Sequence, residues 1–139
     1  VLVEEYLPGK EFTVGIVGSG EDAKVVGVLE IECKKGLYTF ESKQDYENLV
    51  KYLLAEEPYK TECSEFALHI WKTLKCKDAG RVDIKYDKHH KPSCIEINPL
   101  AGLHPVDSDL PIMCNLQNIS YQSLIEEILN SVIRRNFFS

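Results

Sequence analysis

The stretch Gly80–Pro105, GRVDIKYDKHHKPSCIEINPLAGLHP, sets the reading of the whole chain. At a period of two, Arg81, Asp83 and Lys85 fall on one face of a strand and Val82, Ile84 and Tyr86 on the other. The second run repeats the pattern, with Cys94, Glu96 and Asn98 on one face and Ile95 and Ile97 opposite. The turn-rich residues 87–92 between them predict a hairpin. Pairing Tyr86 with Ser93 sets Asp83 across from Glu96 and Arg81 across from Asn98. Two carboxylates and an amide oxygen then share one polar face, with an arginine at its edge. Hard oxygen donors of this kind suit Mg²⁺, which takes one or two carboxylates together with phosphate oxygens and water. The alternation by itself equally describes a solvated sheet surface. The sequel favours a site for a nucleotide's phosphates. Asn98-Pro99-Leu100-Ala101-Gly102-Leu103 leaves the strand through a Pro and a Gly, as a backbone-rich loop at its mouth.

Upstream, Val1–Leu7 reads as a short strand stopped by Pro8-Gly9, and Glu11–Val17 as a second. Gly18–Asp22 is a turn, and the β-branched run Lys24–Glu32 is a third strand paired with the second. Leu37–Phe40 reads as a fourth, short strand ending near Lys43. The period then changes. Asp45–Glu56 is expected to be a helix, with Asp45 as N-cap, a stripe of Leu49, Val50, Leu53 and Leu54, and Pro58 closing it. Thr61–Leu74 is a second helix that turns Phe66, Ala67, Ile70, Trp71 and Leu74 toward the core. Beyond the hairpin, Ser108 caps a short helix carrying Pro111 in its first turn. Ser120 caps the last helix, whose stripe is Ile125, Ile128, Leu129, Val132 and Ile133, with Arg134 and Arg135 at its C-terminal end. The expected class is α+β, a mostly antiparallel sheet covered by helices.

Length and composition frame this. At 139 residues, one domain is the natural count, and 44% hydrophobic with 27% charged residues is ordinary for a soluble chain. A net charge of −6 argues against nucleic-acid binding through phosphate neutralisation. No run approaches the ~20 apolar residues of a membrane span, and VLVEEYLPGK does not read as a secretory signal. The five cysteines, Cys33, Cys63, Cys76, Cys94 and Cys114, form no CxxC pair. They read as reduced thiols of a cytoplasmic protein, serving neither zinc nor a disulfide framework. An opening strand-like run without an initiator methionine leads us to expect a fragment.

R-V-D at residues 81–83, followed by I-E-I-N-P-L-x-G at 95–102, resembles the end of the ATP-grasp domain of D-alanine–D-alanine ligases and their close relatives. The resemblance runs over nearly all of the chain and covers the C-terminal part of such an enzyme. It implies a C-terminal ATP-grasp subdomain spanning residues 1–139. It implies ATP and Mg²⁺, two ions in number with Mn²⁺ as an alternative, held by Asp83, Glu96 and Asn98. Arg81 matches the family's transition-state arginine. V-E-E-Y-L-P-G-K-E-F-T-V at 3–14 is similar to the family's hinge segment. There Glu4 and the backbone of Glu5 and Leu7 would meet the adenine edge, and Glu11 the ribose hydroxyls. Lys43, in F-E-S-K-Q, falls where the family directs a lysine at the nucleotide phosphates or the acyl phosphate, although Ser42 and Gln44 depart from its pattern. Gln44 replaces a tyrosine that the family places near the first amino acid. Gly102, Leu103, Ser108 and Leu110 occupy the loop for the second substrate. That loop is about one residue longer than in many members, and Ala101 stands in place of the more usual proline. His104 could carry a proton or simply be solvated, and His89-His90 reads as surface.

The function this implies is ATP-dependent joining of two amino acids through an acyl phosphate, in peptidoglycan synthesis for the cell wall. Partners would be ATP, small amino acids, the N-terminal part of the same enzyme and, in a homodimer, a second copy. Neither nucleic acid nor membrane is expected. The sequence lacks a glycine-rich loop to cover phosphates, and the first subdomain's lysines. Alone, the chain is therefore expected to bind nucleotide weakly and to be inactive. Two other readings stand beside this one: an ATP-grasp ligase for a different acid and amine, and a non-catalytic truncated module.

Overall fold

The computed structural model describes residue 1 and residues 3–33 and 50–137. Among these, five strands occur: β1 (Glu11–Val17), β2 (Lys24–Cys33), β3 (Val50–Leu54), β4 (Ala79–Tyr86) and β5 (Pro92–Asn98). Three α-helices accompany them: α1 (Tyr59–Thr73), α2 (Asp109–Leu116) and α3 (Tyr121–Phe137). All strands pair antiparallel, in the order β3-β2-β1-β4-β5. The α+β class read from the sequence is the observed one.

Alternation sorts the sheet into two faces. Phe12, Val14 and Ile16 of β1 join Val82, Ile84 and Tyr86 of β4 in a buried cluster beneath Cys63, Ala67 and Trp71 of α1. Trp71 also donates its indole N–H to the Gly18 carbonyl at 3.1 Å, so its one polar atom is satisfied. Slipping β4 by one residue would expose Val82, Ile84 and Tyr86, at roughly 1.5–3 kcal/mol for each side chain, which holds the register. On the other face Val17 packs with Leu110 and Cys114 of α2 and Leu124 of α3.

Helix α2 lies close on β1 and β2 because Gly15 and Gly27 stand opposite each other there. A Cβ on Gly15 would come 2.5 Å from Met113 Sδ and 2.7 Å from Leu110 Cδ1, inside ordinary contact. A register shift beside Gly15 leaves Val26 as the extra residue, and its carbonyl accepts a bond from the Gln117 amide just after α2.

Four expectations change. Among the described residues of Val1–Leu7 there is no strand; pairing to β4 begins only at Gly9, whose N–H reaches the Tyr86 carbonyl at 2.9 Å. The helix expected over Asp45–Glu56 is, from Val50 to Leu54, strand β3 paired along the edge of β2. The spacing of Val50, Leu53 and Leu54 fits a helix turn, but a short apolar run follows whichever partner it finds. The remainder of that segment, with the strand expected at Leu37–Phe40 and with Lys43, lies outside the described residues. In α1 Phe66, Ala67, Ile70 and Trp71 face the core as expected and Cys63 joins them, while Leu74 caps the helix and is exposed. In α3 the buried residues are Leu124 and Ser131; Ile128 packs against the core as expected, while Leu129 and Ile133 are exposed. A polar latch sets that rotation: Ser131 Oγ donates to Asp78 Oδ1 at 3.0 Å and Arg135 to Asp78 Oδ2 at 2.7 Å. Ser120 does cap α3, its hydroxyl accepting from the Ser123 N–H at 3.1 Å.

Candidate functional site

The face of the sheet opposite α1 carries the polar residues of β4 and β5. Arg81 stands across from Asn98, and Asp83 across from Glu96, as the sequence led us to expect. The route differs. Tyr86 pairs with Pro92 rather than Ser93, and the register shifts between Asp83 and Ile84, with Ile95 as the extra residue of β5. The bulge brings Glu96 back into line with Asp83, so strict alternation along β5 breaks at Ile95.

Asp83 is the hub. Its residue is 8% exposed, yet it is surrounded by polar groups. Thr13, its neighbour across β1, donates a hydroxyl bond to Oδ1 at 2.6 Å, and the Asn98 amide donates to Oδ2 at 3.4 Å. Arg81 Nε lies 3.3 Å from Oδ1, within ion-pair distance but without hydrogen-bond alignment. Burial holds the Asp83 carboxyl above its ordinary pKa, and Glu96 and Asp109 add to this, against the opposing pull of Thr13 and Arg81. Among the described residues no group of three or more His, Cys, Asp and Glu side chains could hold a metal ion. The donor chemistry nonetheless fits a hard cation. A buried carboxylate, a second carboxylate directly across, and an amide that can offer its oxygen after a half-turn are magnesium-type ligands.

The arginine at the edge is held from elsewhere. Arg81 Nη1 donates to Asp109 Oδ2, and Asp109 is the first residue of α2. Tyr52 on β3 lies against the same carboxylate, and burial together with Asp109 pushes its phenol up to about 12. Thr13, Tyr52 and Asp109 were not singled out from the sequence. Thr13 becomes visible only when its pairing with Asp83 is known. Asp109 carried a faint signal, an acidic side chain at the first position of a helix.

The other sequence candidates are dispersed. Glu11 lies two positions from Thr13 on the same strand face and pairs with Lys85 at 2.9 Å. Glu4 and Glu5 are exposed and Leu7 is half-buried, in the irregular segment before β1. Gly102, Leu103 and Ser108 belong to the loop between β5 and α2. Ser108 sits at the N-cap position, but its hydroxyl accepts from the His104 N–H at 3.0 Å instead of from the helix. Gly102 lets that hydroxyl approach, because a Cβ there would stand 2.7 Å from it. The Leu103 carbonyl accepts from the Tyr121 hydroxyl at 2.9 Å. His104 turns its Nδ1 to Asp107, at 3.0 Å from Oδ2, within its own loop. Leu110 can serve the second substrate only through its backbone. Its side chain is fully buried in the core, and the residue directed at Arg81 from this turn is Asp109.

Three comparisons bear on this arrangement. Residues 1–130 match the family described as D-ala D-ala ligase C-terminus. The chain is 33% identical over 129 residues to the D-alanine–D-alanine ligase of Aquifex aeolicus, covering 93% of the chain and 43% of that protein. Identity to the enzyme of Petrotoga mobilis is also 33%, over 141 residues, covering 97% and 45%. In structure, the chain resembles the D-alanine–D-alanine ligase of Bacillus anthracis complexed with ATP, with a TM-score of 0.70 and 25% identity over 94% of the chain and 40% of that protein. The chain thus spans less than half the length of these relatives.

Proposed function

Because the chain belongs to the D-alanine–D-alanine ligase C-terminal family, we propose that residues 1–139 form one domain, the C-terminal ATP-grasp part of an ATP-dependent ligase that joins two amino acids. The observation that carries this is the pairing of Asp83 with Glu96 and of Arg81 with Asn98 on one sheet face, within a chain that matches the family along most of its length.

In this reading Asp83, Glu96 and Asn98 would hold Mg²⁺, two ions with Mn²⁺ as a substitute, and the chemistry the metal would supply is neutralisation of phosphate charge during phosphoryl transfer. Thr13 fixes the Asp83 carboxylate so that one oxygen stays turned toward Asn98. Arg81 supplies a fixed cation beside the acyl phosphate and the tetrahedral intermediate that follows amine attack. Glu11 receives the ribose hydroxyls, and the exposed segment carrying Glu4, Glu5 and Leu7 meets adenine. Lys43 is assigned to the phosphates from sequence alone. Gly102, Leu103 and Ser108 line the approach of the second amino acid, with Leu110 acting through its backbone only. The remaining subdomains of the enzyme complete the nucleotide site. The reaction serves cell-wall precursor synthesis in the cytoplasm.

The test uses the full-length protein that carries this chain. ADP release with D-alanine is expected to require Mg²⁺ and to be abolished by Glu96→Gln; undiminished turnover in that variant would sink the metal role. The 139-residue chain by itself is expected to release no ADP. One observation favours a second reading, a ligase for another acid and amine. Asp109 places a negative charge in the turn that would receive the second substrate's carboxylate, so a screen of amino-acid pairs belongs in the same experiment.

A further inference from the structure

Arg81 would be of little use if its long side chain were free to swing, and Asp83 does not fix it. Nε is buried, unbonded, and only within ion-pair range of Oδ1. The well-directed contact runs from Nη1 to Asp109. Asp109 is itself restrained in two ways. It opens α2, where the helix dipole favours a carboxylate. The next residue, Leu110, and Met113 are seated on Gly15, and Gly15 is the β1 neighbour of Arg81. Tyr52, on the edge strand β3, is close enough to Asp109 for the two groups to influence each other. Among the described residues Arg81 Nη2 makes no hydrogen bond, so a guanidinium anchored at Nη1 retains donors for an incoming oxygen.

We propose that Asp109 is a positioning residue that orients the Arg81 guanidinium for reaction, an inference that rests on the ligase reading above. The docking of α2 on the glycine floor would then be part of the active-site machinery, because it delivers Asp109 at a fixed height above the sheet.

Two measurements test it. The first uses this chain and needs no activity. The Arg81 guanidinium protons are expected to give resolved, slowly rotating signals in a nitrogen–proton NMR spectrum. Asp109→Asn is expected to collapse them while the amide spectrum stays dispersed, and Asp109→Glu to keep them. Unchanged Arg81 signals in Asp109→Asn would overturn the proposal. The second uses the full-length protein. Asp109→Asn is expected to lower kcat about 100-fold, as a misplaced group does, with KM for ATP changed by less than about threefold. Asp109→Glu should recover part of that loss, and Arg81→Lys/Asp109→Asn should be no slower than Arg81→Lys. Additive losses, or a rise in kcat when Asp109 is neutralised, would equally overturn it. A full-length wild-type protein that releases no ADP with any amino-acid pair would refute the ligase reading instead, leaving the NMR result to judge Asp109 as an anchor for Arg81.

Discussion

Gly15→Ala is the perturbation that most directly connects packing to the site. The added methyl would meet Met113 Sδ at 2.5 Å and Leu110 Cδ1 at 2.7 Å, and Val26 Cγ2 at 3.0 Å. Ordinary contact is about 3.5–4.0 Å, so the overlap is close to an ångström on two sides. Met113 and Leu110 are both fully buried, so either can retreat only by displacing its own neighbours. Overpacking by one methyl in such a place costs about 1–3 kcal/mol. The lower backbone entropy of alanine in the unfolded chain offsets about 0.4–1 kcal/mol of that. The expected net loss is about 1–2 kcal/mol, or several degrees in Tm for a domain of this size. Urea denaturation followed by circular dichroism would read it as a lower midpoint with an unchanged slope. Met113→Ala removes the thioether that the methyl strikes, so the double variant should be more stable than the sum of the single losses implies. Gly15→Ala within 0.5 kcal/mol of the parent, or strictly additive losses, would refute the view that α2 is seated by direct contact with this glycine.

Other outcomes follow from the same geometry. Asp78→Asn, which removes the charge that gathers Arg135 and Ser131, should cost about 1–2 kcal/mol by thermal unfolding, as expected for charge-assisted bonds in a partly buried pair. Asparagine is the suitable replacement because position 78 has φ of 65°, a conformation it tolerates. Burial pushes the Cys63 thiol up to about 11 from 9.0, so the folded state keeps its proton where the unfolded chain has lost it. Stability from this group is present below pH 9 and is lost as pH rises toward 11; Cys63→Ala should flatten that part of a pH–Tm curve. Iodoacetamide at pH 8 should label exposed Cys94 well before the buried Cys63 and Cys114, with mass spectrometry identifying the site. Labelling of Cys63 or Cys114 first would contradict the packing described.

Some of this protein was decided by residue pattern alone. The alternation of Arg81, Asp83 and Lys85 against Val82, Ile84 and Tyr86 admits only one way to bury the apolar set, so the polar face of β4 was legible at once. The opposition of Asp83 to Glu96 followed from it, even though the intermediate pairing of Tyr86 was off by one; a bulge at Ile95 absorbed the difference. What pattern could not decide were matters of partnership. Val50–Leu54 became a strand because β2 offered an open edge, and α3 turned on its axis because Asp78 drew Ser131 and Arg135 inward. Asp109 is 28 positions from Arg81, and Thr13 is 70 from Asp83. Local sequence carries backbone propensity and the periodicity of burial. Which distant polar groups meet is settled only when the sheet pairs and α2 settles onto its glycines, since these contacts depend on three-dimensional closure and leave no period in the chain.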